Sequence, residues 1–244
     1  MTPFALLLPA AGLGTRMGGR KALLELAGQP LIAHTLRCFA PFREHLCQTI
    51  LVAHPDDLEP IETHWGALLR ESYRVTDVVP GGARRQDSVR AGLACLRPEA
   101  ELVAIHDAVR PFVSPQAILA AIEAAEATGA AIVATPMKPT VKRVAEGRIA
   151  ATVDRRGLWC AQTPQVFRRQ LILDAYAAAE RDGLDATDDA QLVEHIGRPV
   201  AVVPGSDLNI KITTPEDLRL AEAILAHGLM PTTVRARDRN TRRA

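Results

Sequence analysis

Short apolar runs alternate with helical patterns along this chain, and that alternation limits the fold more than any other feature. Phe4–Leu8, Thr49–Ala53, Tyr73–Val79, Leu102–Ile105, Ala131–Thr135 and Val200–Val203 read as buried strands separated by helix-forming stretches. Strands spaced by helices pair in parallel and are covered on both faces, so the expected class is α/β, a mostly parallel sheet sandwiched by helices. Two helix starts are written out: Ser114-Pro115 sets a cap before a proline in the first turn, and Thr214-Pro215-Glu216-Asp217 adds acids to the same device. Between Pro136 and Leu158 the rhythm changes. Thr140–Val144 and Arg148–Val153, joined through Glu146-Gly147, predict a polar hairpin, an arm over about 136–158 that projects from the sheet. Such arms embrace a second subunit or lie as surface flaps.

With 48% apolar residues in 244, the chain can bury a sizeable core, and one domain over residues 1–228 is expected. The net charge is only +1, and the segment Pro231–Ala244 holds five arginines against Asp238. The remainder is slightly acidic, which argues against a nucleic-acid partner. Residues 229–244 lack apolar periodicity and are expected to form a disordered basic tail. Cys38, Cys47, Cys95 and Cys160 form no C-x-x-C pair, and three lie in apolar contexts. Buried free thiols in a reducing compartment, the cytoplasm, are the expectation. No signal peptide and no run approaching the ~20 apolar residues of a membrane span is present, so no membrane partner is expected.

The first strand breaks into Pro9-Ala10-Ala11-Gly12-Leu13-Gly14-Thr15-Arg16-Met17, with Lys21 close behind. Glycines let backbone N–H groups close on anionic oxygens, and Arg16 and Lys21 add fixed positive charge, so the loop asks for a polyphosphate. It is not a dinucleotide fingerprint: Met17 stands where the third glycine belongs, and Ala33-His34-Thr35 offers no ribose-binding acid. A Walker A loop fails too, because no Gly-Lys-Ser/Thr follows. In open α/β sheets, ligands lie beyond the carboxyl ends of strands. There the chain places Gly81-Gly82-Ala83-Arg84-Arg85-Gln86-Asp87-Ser88, His106-Asp107-Ala108-Val109-Arg110, Asp154-Arg155-Arg156 and Asn209-Ile210-Lys211. Cations from separated segments around one carboxylate point to a phosphate ligand with a divalent metal on Asp107, since magnesium needs only one or two carboxylates besides phosphate and water. Asp107 as a turn cap is the plainer alternative, and His106 reads as a structural group. Paired Gly81-Gly82 let the backbone approach a flat base edge-on. Ser88, where a helix would begin, serves equally as a reader of a cytosine or as a cap.

Together these segments, with Thr152-Val153-Asp154-Arg155-x-Gly157-Leu158-Trp159 and Thr163-Pro164-Gln165, resemble the 2-C-methyl-D-erythritol 4-phosphate cytidylyltransferase family, in order over residues 4–226. The resemblance implies a Rossmann-like sheet of nucleotidyltransferase type and transfer of CMP from CTP to the polyol phosphate with release of pyrophosphate. It implies that Arg16, Lys21 and Lys211 are catalytic. Ala10, Ala11, Gly12 and Gly14 would line the CTP loop, and Gly82, Ala83 and Ser88 would frame the cytosine. Asp107 would bind Mg2+. Arg110, Thr140, Arg155 and Thr163 would hold the acceptor or the reacting phosphate, with Thr140 and Arg155 reaching from the arm of a second subunit in a homodimer. The loop Gly18-Gly19-Arg20-Lys21-Ala22 is shorter than in the family, so Arg20 shares the candidacy of Lys21, and Ala83 replaces an acid found in some members. A ribitol 5-phosphate cytidylyltransferase is the nearest rival. A non-catalytic nucleotide-binding regulator is the rival of another class, and the acceptor cations Arg110, Arg155 and Lys211 argue against it.

Overall fold

The computed structural model describes residues 1–12 and 24–229. Its centre is a seven-stranded sheet; from one edge to the other run β11 (Ala201–Pro204), β7 (Ala130–Pro136), β10 (Trp159–Arg168), β6 (Leu102–Ile105), β1 (Phe4–Pro9), β4 (Leu46–Ala53) and β5 (Asp77–Pro80). β1 runs parallel to β4 and β6, β4 to β5, and β11 to β7. Only β10 is antiparallel to both its neighbours among these pairings.

Side chains alternate across the sheet as the strand period requires. Phe4, Leu6, Leu8, Leu51 and Ala104 enter one apolar core with helices α1 (Leu31–Arg37), α2 (Leu58–Glu71) and α4 (Pro115–Thr128). Leu7, Ile50, Val52, Val103 and Ile105 enter the other, under α3 (Arg85–Leu93), α5 (Arg169–Asp182) and α6 (Asp189–His195). Each fully buried Leu, Ile or Val contributes about 1.5–3 kcal/mol, so the two cores together fix the sheet between its helix layers. A third cluster joins Leu26, Leu31, Val109, Phe112 and Ile212 to Ala221 and Ile224 of α7 (Pro215–Ala226). It lies beneath a small hairpin, β2 (Glu25–Leu26) with β3 (Gln29–Pro30), and ties the C-terminal helix to the loop after β6.

Both helix starts fall where the sequence places them. Ser114 accepts from the Ala117 N–H at 3.1 Å, and Thr214 from that of Asp217 at 3.2 Å. Asp217 answers by accepting from the Thr214 N–H at 2.9 Å, which closes a capping box. The arm hairpin also forms, as β8 (Val141–Ala145) and β9 (Arg148–Val153), turning through Glu146 and Gly147 with φ of 49° and 73°.

Several sequence expectations need correction. β10 was not anticipated as a strand: a proline and two glutamines interrupt its apolar alternation, and its register shifts between Ala161 and Gln165. The expected strand from Tyr73 begins only at Asp77, because Arg74 turns left-handed at φ 56° as α2 ends. β4 starts at Leu46, earlier than Thr49, and β8 starts after Thr140. Ser88 does not begin a helix; it sits in the first turn of α3, which starts at Arg85. All four cysteines are free, yet only Cys38 is buried, and burial pushes its thiol up to about 12. The expected basic tail lies outside the described residues, apart from Leu229.

The topology decides where a site can be. From β1 the chain moves outward to β4 and β5, then crosses back to β6 on the other side of β1. Loops leaving β1 and β6 therefore diverge at their carboxyl ends and open a crevice between them.

Candidate active site

A cavity of about 170 Å³ occupies that crevice, walled by Pro9–Gly12 after β1, Gly82–Arg85 and Ser88 at the head of α3, Asp107–Val109 after β6, Ile32 of α1, and Lys211. Backbone hydrogen bonds hold these loops to the sheet: Ala10 N–H to the Val52 carbonyl, Gly81 N–H to Ala53 and His106 N–H to Leu7, at 2.7, 2.7 and 2.9 Å. The glycine pair is required by packing. A Cβ on Gly81 would lie 2.3 Å from that of Ala11, and one on Gly82 2.4 Å from that of Asp87. The Ser88 hydroxyl accepts from the Gly82 N–H at 3.1 Å and donates to the Arg84 carbonyl at 3.1 Å, so it braces the loop that forms the pocket rim.

Asp107 lies on the cavity floor with its carboxylate 7% exposed. Oδ1 meets Arg85 Nε at 3.3 Å; Oδ2 meets Lys211 Nζ at 2.9 Å and Arg110 Nε at 3.3 Å. Burial disfavours the charge, but Lys211, Arg85 and Arg110 outweigh it and hold the carboxyl well below the usual carboxylate range. Lys211 is brought here by the Ile212 N–H bond to the Val109 carbonyl at 3.0 Å, and by Asn209. Buried Asn209 donates to the Thr163 carbonyl at 2.9 Å, and its own backbone carbonyl accepts from Arg110 Nη1 at 2.7 Å.

Thr163 and His106 sit behind the floor. Thr163 Oγ1 accepts from the Asp107 N–H at 3.1 Å and contacts His106 Nδ1 at 3.0 Å, while His106 Nε2 lies 3.0 Å from the Arg110 carbonyl. A carbonyl can only accept, so Nε2 carries the proton and Nδ1 accepts from Thr163. Burial lowers the imidazole to about 4, which keeps it neutral and structural, as the sequence reading held.

Ala10, Ala11, Gly12, Gly82, Ala83, Ser88, Asp107 and Lys211 thus share one cavity, with Arg110 reaching it through Asp107. Thr163 is buried with its hydroxyl engaged. Thr140 and Arg155 stand exposed on the arm and line no part of the cavity in their own chain. Gly14, Arg16 and Lys21, and Arg20 beside them, lie outside the described residues.

The family model of IspD, 2-C-methyl-D-erythritol 4-phosphate cytidylyltransferase, matches residues 4–227. The chain belongs to this cytidylyltransferase family. The cytidylyltransferase of that name from Bacillus licheniformis is 44% identical over 227 residues, covering 91% of this chain and 95% of the relative. The one from Syntrophotalea carbinolica is 46% identical over 224 residues, covering 90% and 94%. Among solved structures, the 2-C-methyl-D-erythritol 4-phosphate cytidylyltransferase of Thermus thermophilus aligns with TM-score 0.77 at 36% identity, over 92% of this chain and all of the other. The 4-diphosphocytidyl-2C-methyl-D-erythritol synthase of Anaerococcus prevotii aligns with TM-score 0.79 at 34% identity, over 92% and 99%.

On this cytidylyltransferase scaffold the structure adds a group that the sequence reading did not assign to the site. Arg85 carries a second contact, Nη2 to Asp189 Oδ2 at 2.7 Å, and Asp189 Oδ1 accepts from the Tyr176 hydroxyl at 2.6 Å. In the sequence, Thr187-Asp188-Asp189 looks like plain helix-start chemistry, and Asp188 does cap α6 by accepting from the Gln191 N–H at 3.0 Å. Only its own burial, at 1% exposure, separates Asp189 from a solvated first-turn acid.

Proposed function

We propose that this chain transfers CMP from CTP to 2-C-methyl-D-erythritol 4-phosphate, releasing pyrophosphate and forming 4-diphosphocytidyl-2-C-methyl-D-erythritol. The observation that carries this reading is the meeting, in one crevice, of a backbone-lined pocket from β1 and α3 with a buried carboxylate and its cationic partners. In this reading the backbone at Gly82 and Ala83 meets the base edge-on, with a carbonyl for the exocyclic amine and the Ala83 N–H for its neighbouring acceptor, the Gly82 N–H being held by Ser88. Uracil reverses that pattern and would leave buried partners unpaired, which sites of this kind reject by roughly 10⁴-fold.

An oxygen of the acceptor phosphate attacks the α-phosphorus. A P–O bond forms there, and the bond to the bridging oxygen breaks, with pyrophosphate taking the electron pair. No general base is needed, because a phosphate monoester is largely dianionic at pH 7. Catalysis then rests on aligning two anions and offsetting charge at the α-phosphate. Lys211 is suited to this: 40% exposed, it can leave Asp107 for an incoming phosphate while its backbone stays clamped. Arg16 and Lys21 complete the triphosphate contacts in this reading, with Gly12 and Gly14 giving the loop its close approach. Arg110 and Thr163 shape the acceptor side. Among the described residues no three His, Cys, Asp or Glu side chains are grouped so as to hold a metal ion by themselves. An ion here would depend on substrate oxygens besides Asp107, which is the donor set of Mg2+ in phosphoryl transfer. Bound there, Mg2+ would neutralise developing charge on the phosphates.

The arm belongs to the proposal as a dimer element. Val144, Ile149, Leu158 and Trp159 are 40–65% exposed along it, apolar surface that a second copy would cover, and Arg155 and Thr140 would then reach the partner's site. A single domain over residues 1–228 and a cytoplasmic location, in keeping with four free thiols, complete the reading.

Pyrophosphate release from CTP, measured with each polyol phosphate, tests it. Turnover with methylerythritol phosphate and at least hundredfold less with ribitol 5-phosphate or with UTP is expected; a preference for ribitol phosphate refutes the assignment. Lys211→Ala should lower kcat by about 10²–10³, the usual loss for one preorganised charge-stabilising donor, with its fold intact.

A further inference from the structure

Asp107 and Asp189 share one guanidinium. Arg85 Nε holds Asp107 Oδ1 at 3.3 Å and Nη2 holds Asp189 Oδ2 at 2.7 Å. Asp189 cannot follow Arg85 elsewhere. Its other oxygen is fixed by Tyr176 at 2.6 Å, and its N–H and that of Ala190 both donate to Gln165 Oε1 at 3.1 Å. Gln165 lies on β10, paired with Ile105 of β6, one strand from Asp107's own loop. The three cations on Asp107 therefore differ in kind: Lys211 is 40% exposed and free to turn toward a substrate, whereas Arg85 is anchored to Asp189 and Arg110 to the Asn209 carbonyl. An arginine on a metal-binding carboxylate ordinarily competes with the cation. Here the second carboxylate offsets its charge.

We propose that Asp189 and Arg85 form a strut that orients the Asp107 carboxylate and offsets the guanidinium charge beside it, so that the carboxylate can serve a divalent cation. Arg85 and Asp189 are positioning residues; neither needs to touch substrate. The fork of arginine is essential to this, since it contacts two carboxylates through two nitrogens and a lysine ammonium offers only one. The inference rests on the reading of Asp107 as the metal ligand.

The experiment measures Mn2+ affinity directly, from the electron paramagnetic resonance of the free ion, with protein in excess over a non-hydrolysable α,β-methylene CTP analogue. Asp107→Asn is the reference: if it binds Mn2+ as tightly as the parent, the metal reading of Asp107 falls, and the strut with it. If Asp107→Asn weakens binding, Asp189→Asn and Arg85→Lys should each weaken it by about tenfold, the scale of loss when a partner of a metal ligand is removed. In Asp189→Asn, whose residue lies outside the cavity wall, the acceptor KM and metal-free nucleotide affinity should stay within twofold of the parent. Thermal melting confirms that each variant folds, and Arg85→Lys retains the test if Asp189→Asn does not. Parental Mn2+ affinity in a folded Asp189→Asn or Arg85→Lys protein overturns the strut, as does an equal loss of metal-free nucleotide binding in Asp189→Asn, which would mark a general distortion.

Discussion

A methyl group on Gly81 would lie 2.3 Å from the Ala11 Cβ and 2.8 Å from Ser88 Oγ, neither the far end of a flexible side chain. Gly81→Ala must therefore push apart the two walls of the nucleotide cavity, and misplacement of about 1 Å can cost roughly 10²-fold in rate. Its kcat/KM for CTP should fall by about that much, and parental steady-state kinetics in a folded Gly81→Ala protein would remove the packing argument. His106 gives a second prediction at this scale. Buried and held near 4, it resists a proton that the unfolded chain accepts at about 6.5. Below pH 6.5 the unfolded state binds the proton that His106 refuses, so this group's contribution to stability falls as pH drops toward 4, by roughly 3 kcal/mol in all, and levels off below that. Urea midpoints across this range should decline less steeply in His106→Gln than in the parent; identical slopes would mean that the imidazole is not the buried neutral group described.

At the level of elements, the helix starts were readable because capping is local chemistry: Thr214 and Asp217 are three residues apart and satisfy each other's backbone N–H groups. Thr214→Ala should lose about 1 kcal/mol, measured by urea unfolding. Since α7 shares a cluster with Val109 and Ile212, the loss should appear in global unfolding and not as fraying of a free helix. β10 was unreadable for the opposite reason. Its pairing with β6 and β7 is set by residues far upstream, such as Ala104 opposite Val166, while its local sequence carries Pro164 in the middle. The strand is held by its neighbours, and its irregular stretch between Ala161 and Gln165 carries Thr163 to the backbone of Asp107. The cavity residues were legible for a similar mix of reasons. Gly82, Asp107 and Lys211 announce themselves as loop residues after strands, whereas Asp189 needs the folded core to bring it to Arg85.

The whole molecule, in the proposed reading, is larger than one chain. Arg155 stands on the arm, its guanidinium bonded locally to the Lys138 carbonyl, and Lys211 stands on the cavity floor of the same chain. If each site takes Lys211 from one subunit and Arg155 from the other, Lys211→Ala and Arg155→Ala homodimers should both be nearly inactive, each lacking one cation at every site. A heterodimer of the two has one site with both lesions and one with neither. Random 1:1 reassembly makes about half of the dimers mixed, and half of their sites whole, so roughly a quarter of parental activity should return. Were Arg155 to serve its own chain, every site in the mixture would keep one lesion and nothing would be recovered. Each variant unfolded and refolded alone supplies the control for recovery by refolding itself. Light scattering at the assay concentration gives the independent check, because a protein that is monomeric while fully active cannot share its sites between subunits.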